Sequence, residues 1–291
     1  MKSNYKVAYT HSGAFHADDV CSTWLVKKLW PDIEIRRVPK IPTEMSKDEL
    51  AFDIGFGHFD HHQADRAMRN NEIPFAAFGL LWMEFGLELL GGDTEAFNIF
   101  DRTYVLPVDA YDNGVVCGGN GPALQFSVAV ATFNANWDDD AASQDANFAQ
   151  AVEWASAFLD KALASALSTS RAKHLVEQAI ANSDGEVLIL PRFVPWQMWL
   201  SVSEQSKAKS MMFAVFPSNR GGFVAQGIPK IPGQRGNRLD FPVEWRGKSP
   251  DELKALTGLN LTFCHMAGFI LGSETEADAI AAAKLAIANQ Q

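Results

Sequence analysis

The sequence is poor in cysteine: Cys21, Cys117 and Cys264 are the only three in 291 residues. They lie far apart, none belongs to a CxxC pair, and their number is odd, so neither a disulfide framework nor a thiolate zinc site is indicated. A reducing, intracellular setting is expected. Basic charge is also scarce. Lys and Arg number 25 against 35 Asp and Glu, a formal net charge of -10, with a pI near 5.2. That balance excludes a generally basic surface, so any polyanion must be gripped locally. No apolar run reaches the ~20 residues of a membrane span; the longest, Phe75 to Met83, is broken by Glu84. The N-terminal MKSNYKVAYTH lacks the apolar stretch of a signal peptide, and no transit segment is visible. A cytoplasmic protein with no membrane partner is the expectation.

What is present is a globular composition, 47% hydrophobic with eight Trp, and length enough for two domains. Lys6 to Tyr9 reads as a buried strand, and the residues from Asp18 read as a helix with Val20, Cys21, Trp24, Leu25 and Leu29 on one face, stopped by Pro31. His11 to Asp18 thus fills a strand-to-helix turn. Ile33 to Val38 and Leu50 to Phe52 read as further strands, with Asp53 at the end of the second. The expected fold class is α/β, with an open, mostly parallel sheet flanked by helices. In such sheets ligands collect beyond the carboxyl ends of the strands, where His11, Asp53 and the Asp60-His61-His62 triplet all fall.

Helices are expected over 75–90, from the Asp93-Thr94 cap to about Val108, over 122–133, and through the alanine-rich 143–182. In PVDAYDNG, Asp109 and Asp112 are three apart and can share a helical face. The GGNG loop at 118–121 follows no strand and lacks the context of a dinucleotide fingerprint. Beyond NSDG (182–185) the pattern changes to short strands, ending in a strand at 261–264, a turn at HMAGFILG and a helix from Glu274. A catalytic domain over 1–182, including a helical connector, and a smaller α/β substrate domain over 187–291 are expected.

The chemistry is concentrated in four stretches: HSGAFHADD, Asp53, FDHHQ and PVDAYDNG. Imidazole and carboxylate without thiolate suit Mn2+ or a similar divalent ion, with Mg2+ as the alternative, better than structural zinc. The first stretch would also serve as a simple helix-capping turn, with Asp18 and Asp19 favoured by the helix dipole. Together the four stretches offer ligands for two ions. Such a pair lowers the pKa of a shared water and stabilises charge on a phosphoryl oxygen, so phosphoester hydrolysis is the favoured reaction.

HSGAFHADD, FDHHQ, IPFAAFGLLWMEFG, PVDAYDNG, EWRGKSPDEL and FCHMAGFILG, in that order, resemble the motifs of the melanocyte-proliferating-gene protein family, within the DHH phosphoesterase superfamily. The resemblance runs from end to end. It implies that His11, His16 and Asp18 are metal ligands, that Asp53 is a bridging carboxylate, and that His61 and Asp109 complete the set. It further implies that Asp60 orients an imidazole and that His62 faces the phosphate, these two being the catalytic candidates. His16 stands where many superfamily members carry Asp, which places more nitrogen around one ion. Participation of Asp19 and Asp112 stays open.

Across 219–248, six cations, among them Arg238 and Arg246, face only Asp240 and Glu244. This is a local grip for a polyanion, with Phe223, Phe241 and Trp245 available to stack on bases. The alternative is a solvated loop with core aromatics. FCHMAGFILG resembles the phosphate-binding segment of DHH-associated domains, which implies that His265 and Gly268 line a substrate cleft; the alternative is a strand-to-helix turn with an ordinary buried histidine. The resemblance points to a metal-dependent 3'-to-5' exonuclease acting on RNA. A phosphatase for pyrophosphate, short oligonucleotides or nucleoside bisphosphates, and a non-catalytic metal-stabilised scaffold, are the alternatives.

Overall fold

The computed structural model describes residues 4–115, 122–139, 144–183 and 185–289. These form two compact units, divided between Ser170 and Arg171. Cys117 and the GGNG loop lie outside the described residues.

In the first unit, β1 (Val7–His11) lies between β2 (Glu34–Val38) and β3 (Glu49–Ala51), and both pairings are parallel. A parallel pair needs a crossover, and α1 (Ala17–Leu29) supplies it between β1 and β2. Val20, Cys21, Trp24 and Leu25 of α1 are buried as the periodicity predicts, so Cys21 is packing rather than a reactive thiol. The helix stops at Leu29, two residues before Pro31.

Next come α2 (Ala77–Leu89), α3 (Thr94–Phe100), a π-helical stretch at Asp101–Val105, α4 (Leu106–Asp112), α5 (Pro122–Ala131) and the long α6 (Gln144–Asn182). Asp93 caps α3 as expected, accepting from the Ala96 N–H at 2.9 Å. The helical path runs through Pro107 and continues past Val108 to Asp112. Trp24, Phe78, Trp82 and Phe100 fill the core between these helices and the sheet.

The second unit holds the C-terminal part of α6, then β4 (Val187–Ile189), α7 (Trp196–Val202), α8 (Lys207–Ser210), β5 (Phe213–Pro217), β6 (Phe223–Gly227), a 3-10 turn at Val243–Trp245, α9 (Pro250–Thr257), β7 (Leu261–Cys264), β8 (Ile270–Ser273) and α10 (Glu276–Ala288). Its sheet has the order β4-β5-β6-β8-β7, with β4 and β5 parallel and the remaining pairs antiparallel. The HMAGFILG segment is therefore the turn of a β7–β8 hairpin and the first three residues of its second strand, not a strand-to-helix turn. Gly268, at φ +73°, makes that reversal possible. The alanine face of α10 packs on Phe213, Val215, Ala225 and Leu271. Among the described residues, no helix is long and apolar enough to cross a membrane.

Candidate metal centre

Three backbone devices bring the acids and imidazoles together. The first is the loop after β1, where His11 ends the strand. Arg37 of β2 donates to the Gly13 carbonyl at 2.6 Å, and the Asn134 amide clamps Phe15 through its N–H (2.9 Å) and its carbonyl (2.8 Å). The second is at the N-terminus of α1, where the His16 N–H donates to Asp19 Oδ2 at 2.8 Å. Asp18 and Asp19 sit in the first turn, favoured by its unpaired N–H groups, and both are fully buried. The third follows β3. The Asp53 N–H donates to the Phe59 carbonyl at 3.0 Å, which closes the loop from Asp53 to Phe59 and sets Asp53 beside His61. Asp53 takes a left-handed φ of 56°, a conformation more tolerable to Asp than to most side chains.

At the centre is the Asp53 carboxylate. Its Oδ2 lies 3.3 Å from His11 Nε2 and its Oδ1 lies 3.2 Å from His61 Nε2. Each histidine has further acid partners. His11 Nε2 is 3.4 Å from Asp19 Oδ2, while His61 Nε2 is 3.2 Å from Asp112 Oδ2 and 4.0 Å from Asp18 Oδ2. Three groups are spaced to hold a metal ion: His11 with His16 and Asp19, Asp53 with His61 and His62, and Asp18 with His61 and Asp112. Of these, His11, His16, Asp53, His61, His62 and Asp112 line a cleft of about 1340 Å³ that also carries Phe56, Arg66, Tyr111 and Asn113.

The electrostatics are those of crowded acids in want of a cation. Burial pushes the Asp18 carboxyl well above its ordinary range, and the charges of Asp53 and Asp112 push it further. Asp112 is raised by burial and by Asp53. Asp53 goes the other way: burial would raise it, but the hydrogen bonds from His11 and His61 together outweigh that and hold it at about 2. Its partner His11 is raised to about 10, chiefly by Asp19 and then Asp53. One oxygen, Asp19 Oδ1, is buried with no hydrogen-bond partner at all. A buried carboxylate oxygen without a donor is costly, and a bound cation would satisfy it. The donor set of imidazole nitrogen and carboxylate oxygen is one that can hold a divalent metal ion.

Asp60 and His62 are arranged differently. Asp60 is buried, accepts from the Phe56 N–H at 2.6 Å, and takes both the N–H (3.2 Å) and Nδ1 (2.7 Å) of His62. It fixes the ring of a histidine whose side chain is 56% exposed toward the cleft.

Asp109 does not join the clusters. Its Oδ2 accepts from Arg69 Nε (2.9 Å) and Nη2 (2.7 Å), and its Oδ1 from the Gly79 N–H (3.0 Å). Burial raises its pKa to about 7 against the pull of Arg69. Asp109 and Asp112 lie ~60° apart around α4, and their partners differ: Asp109 meets Arg69 and the Gly79 N–H, whereas Asp112 meets His61. Asp109 and Asp18 instead cap α2, whose own N-cap, Ala76, has no side-chain acceptor. Asp18 accepts from Ala77 (2.9 Å) and Phe78 (2.7 Å), so the first three N–H groups of α2 are satisfied by two other helices. Gly79 is obligatory there, since a Cβ would lie 2.1 Å from Asp109 Oδ2.

In the second unit, both named arginines of the expected anion grip donate to backbone carbonyls. Arg238 donates through Nη1 to the carbonyls of Ala208 (2.7 Å) and Met211 (2.9 Å). Arg246 donates through Nε (2.9 Å) and Nη2 (2.8 Å) to the Phe241 carbonyl. The two line a hollow of about 610 Å³ with Asp240 and Glu244, a lining that includes neither His265 nor Gly268. Gly268 is required because a Cβ there would meet Arg246 Nε at 2.5 Å. His265 is exposed rather than buried, and its Nδ1 accepts from the Ala267 N–H at 3.0 Å. Phe241 and Trp245 are core residues, so these two rings are not the stacking surfaces expected, while Phe223 is half-buried against the same core.

Fold and site define a two-unit α/β protein whose first unit gathers acids and imidazoles at the carboxyl ends of a parallel sheet. The family model MYG1_exonuc, described as "Uncharacterised protein family (UPF0160)", matches residues 7–287, and the chain belongs to that family, the melanocyte-proliferating-gene proteins. The chain is 28% identical over 307 residues to "MYG1 protein" of Dictyostelium discoideum, covering 93% of each chain. It is 27% identical over 322 residues to "MYG1 exonuclease" of Mus musculus, covering 97% of this chain and 84% of the relative. Against "MYG1 protein YER156C" of Saccharomyces cerevisiae it is 26% identical over 321 residues, covering 96% and 95%. No solved structure matches.

Proposed function

We propose that this chain is a divalent-metal-dependent phosphodiesterase of the DHH type, acting on RNA as a 3'-to-5' exonuclease. A nuclease-type activity is supported by the name exonuclease carried by relatives such as the mouse protein. The observation that carries the metal reading is the placement of Asp53 between two imidazoles, one oxygen toward His11 and the other toward His61. With Asp19 and His16 on one side and Asp18 and Asp112 on the other, that carboxylate can serve two ions. Asp109, held by Arg69, is left as a structural partner and Asp112 takes its place in the ligand set.

Bound ions would supply a nucleophilic water at neutral pH and neutralise charge on the phosphoryl oxygens. The chain's own residues do the rest. Asp60 accepts from Nδ1 of His62, so the other ring nitrogen is the one left for a ligand, and in the imidazolium state it donates to a phosphoryl oxygen. A group fixed in this way adds its hydrogen bond without reorganising during the reaction. The cleft, at about 1340 Å³, exceeds the ~300–1,000 Å³ usual for small ligands and so favours a chain over a single phosphate.

The test is hydrolysis of a chromogenic phosphodiester with and without Mn2+, followed by single-stranded RNA labelled at either end. The reading requires Mn2+-dependent turnover of both, with nucleotides leaving from the 3' end. Turnover of pyrophosphate or nucleoside bisphosphates alone would replace it with the phosphatase reading, and no turnover with metal bound would leave the scaffold.

A further inference from the structure

The sheet of the second unit has one face covered by α10 and another that is partly open. Side chains alternate between faces along a strand, so while Phe213, Val215, Ala225 and Leu271 meet α10, residues such as Phe216, Gln226, Ile270 and Gly272 turn the other way. On that side lies a cavity of about 780 Å³. Three of the rings lining it stand open to solvent: Phe193 at 63%, Phe263 at 41% and Phe269 at 37%.

These rings are fixed in place. Phe263 lies across Gly272, where a Cβ would come within 2.4 Å of its Cε1. The Phe269 ring packs on His265 with centroids 4.5 Å apart, and Phe193 packs on Phe216 at 5.4 Å. Arg220 sits at the tip of the β5–β6 hairpin, closed by the Ser218 N–H donating to the Gly222 carbonyl at 2.9 Å. Among the described residues, Arg220 is the one charged group in the lining and no carboxylate joins it, in a chain whose net charge is -10.

We propose that this open sheet face binds the unpaired bases of single-stranded nucleic acid, with Phe193, Phe263 and Phe269 as stacking surfaces and Arg220 on the phosphate backbone. The choice of ligand rests on the nucleotide-chain reading above. Every base offers a flat π-face, so exposed rings hold single strands with little regard to sequence. Aromatics standing on a sheet can take two or three bases in succession. The three strands β6, β8 and β7 span roughly 10 Å, enough for such a run. Gln226 and Thr262 at the margin offer hydrogen bonds to base edges. The repulsion that a chain of net charge -10 exerts on a polyanion is relieved locally, because the lining carries Arg220 and no carboxylate.

The experiment is equilibrium binding of a short, fluorescently labelled, cleavage-resistant phosphorothioate RNA to the full-length, Mn2+-loaded protein, with hydrolysis of the chromogenic phosphodiester measured in parallel. Phe193→Ala and Phe263→Ala are each expected to weaken binding by about fivefold or more while hydrolysis of the small substrate stays at the wild-type rate. Phe263→Leu, which keeps the cover over Gly272 and loses the ring, should weaken binding alongside Phe263→Ala. Arg220→Gln should reduce the slope of log affinity against log salt by about one. Wild-type affinity in all the ring variants would overturn the proposal, as would failure of the wild-type protein to bind the RNA. A ring variant that turned a dimer into a monomer in sedimentation, with RNA affinity unchanged, would also overturn it and make the face an interface between copies. Loss of hydrolysis in the wild-type protein would sink the catalytic reading and leave the binding result to decide this one.

Discussion

The two units treat their charged residues in opposite ways. In the first, Asp18, Asp19, Asp53, His61 and Asp112 are crowded together at and behind a cleft, where acids repel one another and Asp19 Oδ1 has no partner. In the second, Arg238 and Arg246, which look from the sequence like ligands for a polyanion, spend their donors on carbonyls of their own unit. Charge left unsatisfied by the fold is a sign of function, because folding alone would select against it. Charge engaged by backbone carbonyls is a sign of architecture. By that criterion the candidate site lies in the first unit, and the arginines read as struts.

The largest effect that would sharpen this contrast is on catalysis. His61→Ala should lower phosphodiester turnover by about 10³-fold or more, since a bound metal supplies several kcal/mol to the transition state. The fold should stay intact by circular dichroism, and near-wild-type rates would break the site assignment. Next is Arg69→Met, which strands the buried Asp109 carboxylate and should cost about 3–5 kcal/mol of stability in urea denaturation. An unchanged midpoint would return Asp109 to the candidate ligands. Arg238→Ala should cost only about 1.5 kcal/mol and leave turnover of the chromogenic substrate unchanged; a fall in turnover with stability intact would show that the arginine is no strut.

The smallest effect is the pH dependence of stability in chelator-treated protein, because the cluster's terms oppose one another. Asp53, held at about 2, contributes stability that is present above its unfolded value near 4 and lost as pH falls through about 2. His11, raised to about 10, contributes stability that is full below its unfolded value near 6.5 and lost as pH rises through about 10. Asp18 and Asp112, both raised, favour the folded protein while protonated and withdraw that support as pH climbs above the unfolded carboxylate value. Asp53→Asn should therefore flatten the alkaline limb in a denaturation series; an unchanged limb would separate His11 from Asp53.

Much of the first unit is legible in the sequence. The strand-turn-helix punctuation around HSGAFHADD and the position of Asp53 after a short strand follow from local patterning, and the structure keeps both. The choice between Asp109 and Asp112 does not follow, because it depends on which side of α4 packs against α2, and periodicity alone leaves ~60° unresolved. Asp19 was available in the Asp18-Asp19 doublet, yet nothing local says which of the two caps α2 and which meets His11. In the second unit the error was one of burial. Phe241 and Trp245 lie in a basic stretch and resemble a stacking surface, but they fill the core, while Phe193, Phe263 and Phe269 lie open in segments with no charge pattern to mark them. The β7–β8 hairpin escaped because Gly268 and Ile270 follow His265 too closely for a period-2 pattern to show.

The most direct test of the account is the number of Mn2+ ions bound per chain, measured by metal analysis and titration calorimetry on the wild-type protein and on His11→Ala, His61→Ala and Asp53→Asn. If Asp53 joins two ligand sets, the wild-type chain binds two ions, each histidine variant loses a different one, and Asp53→Asn weakens both. A single ion in the wild-type protein, or two ions undisturbed in Asp53→Asn, would contradict it.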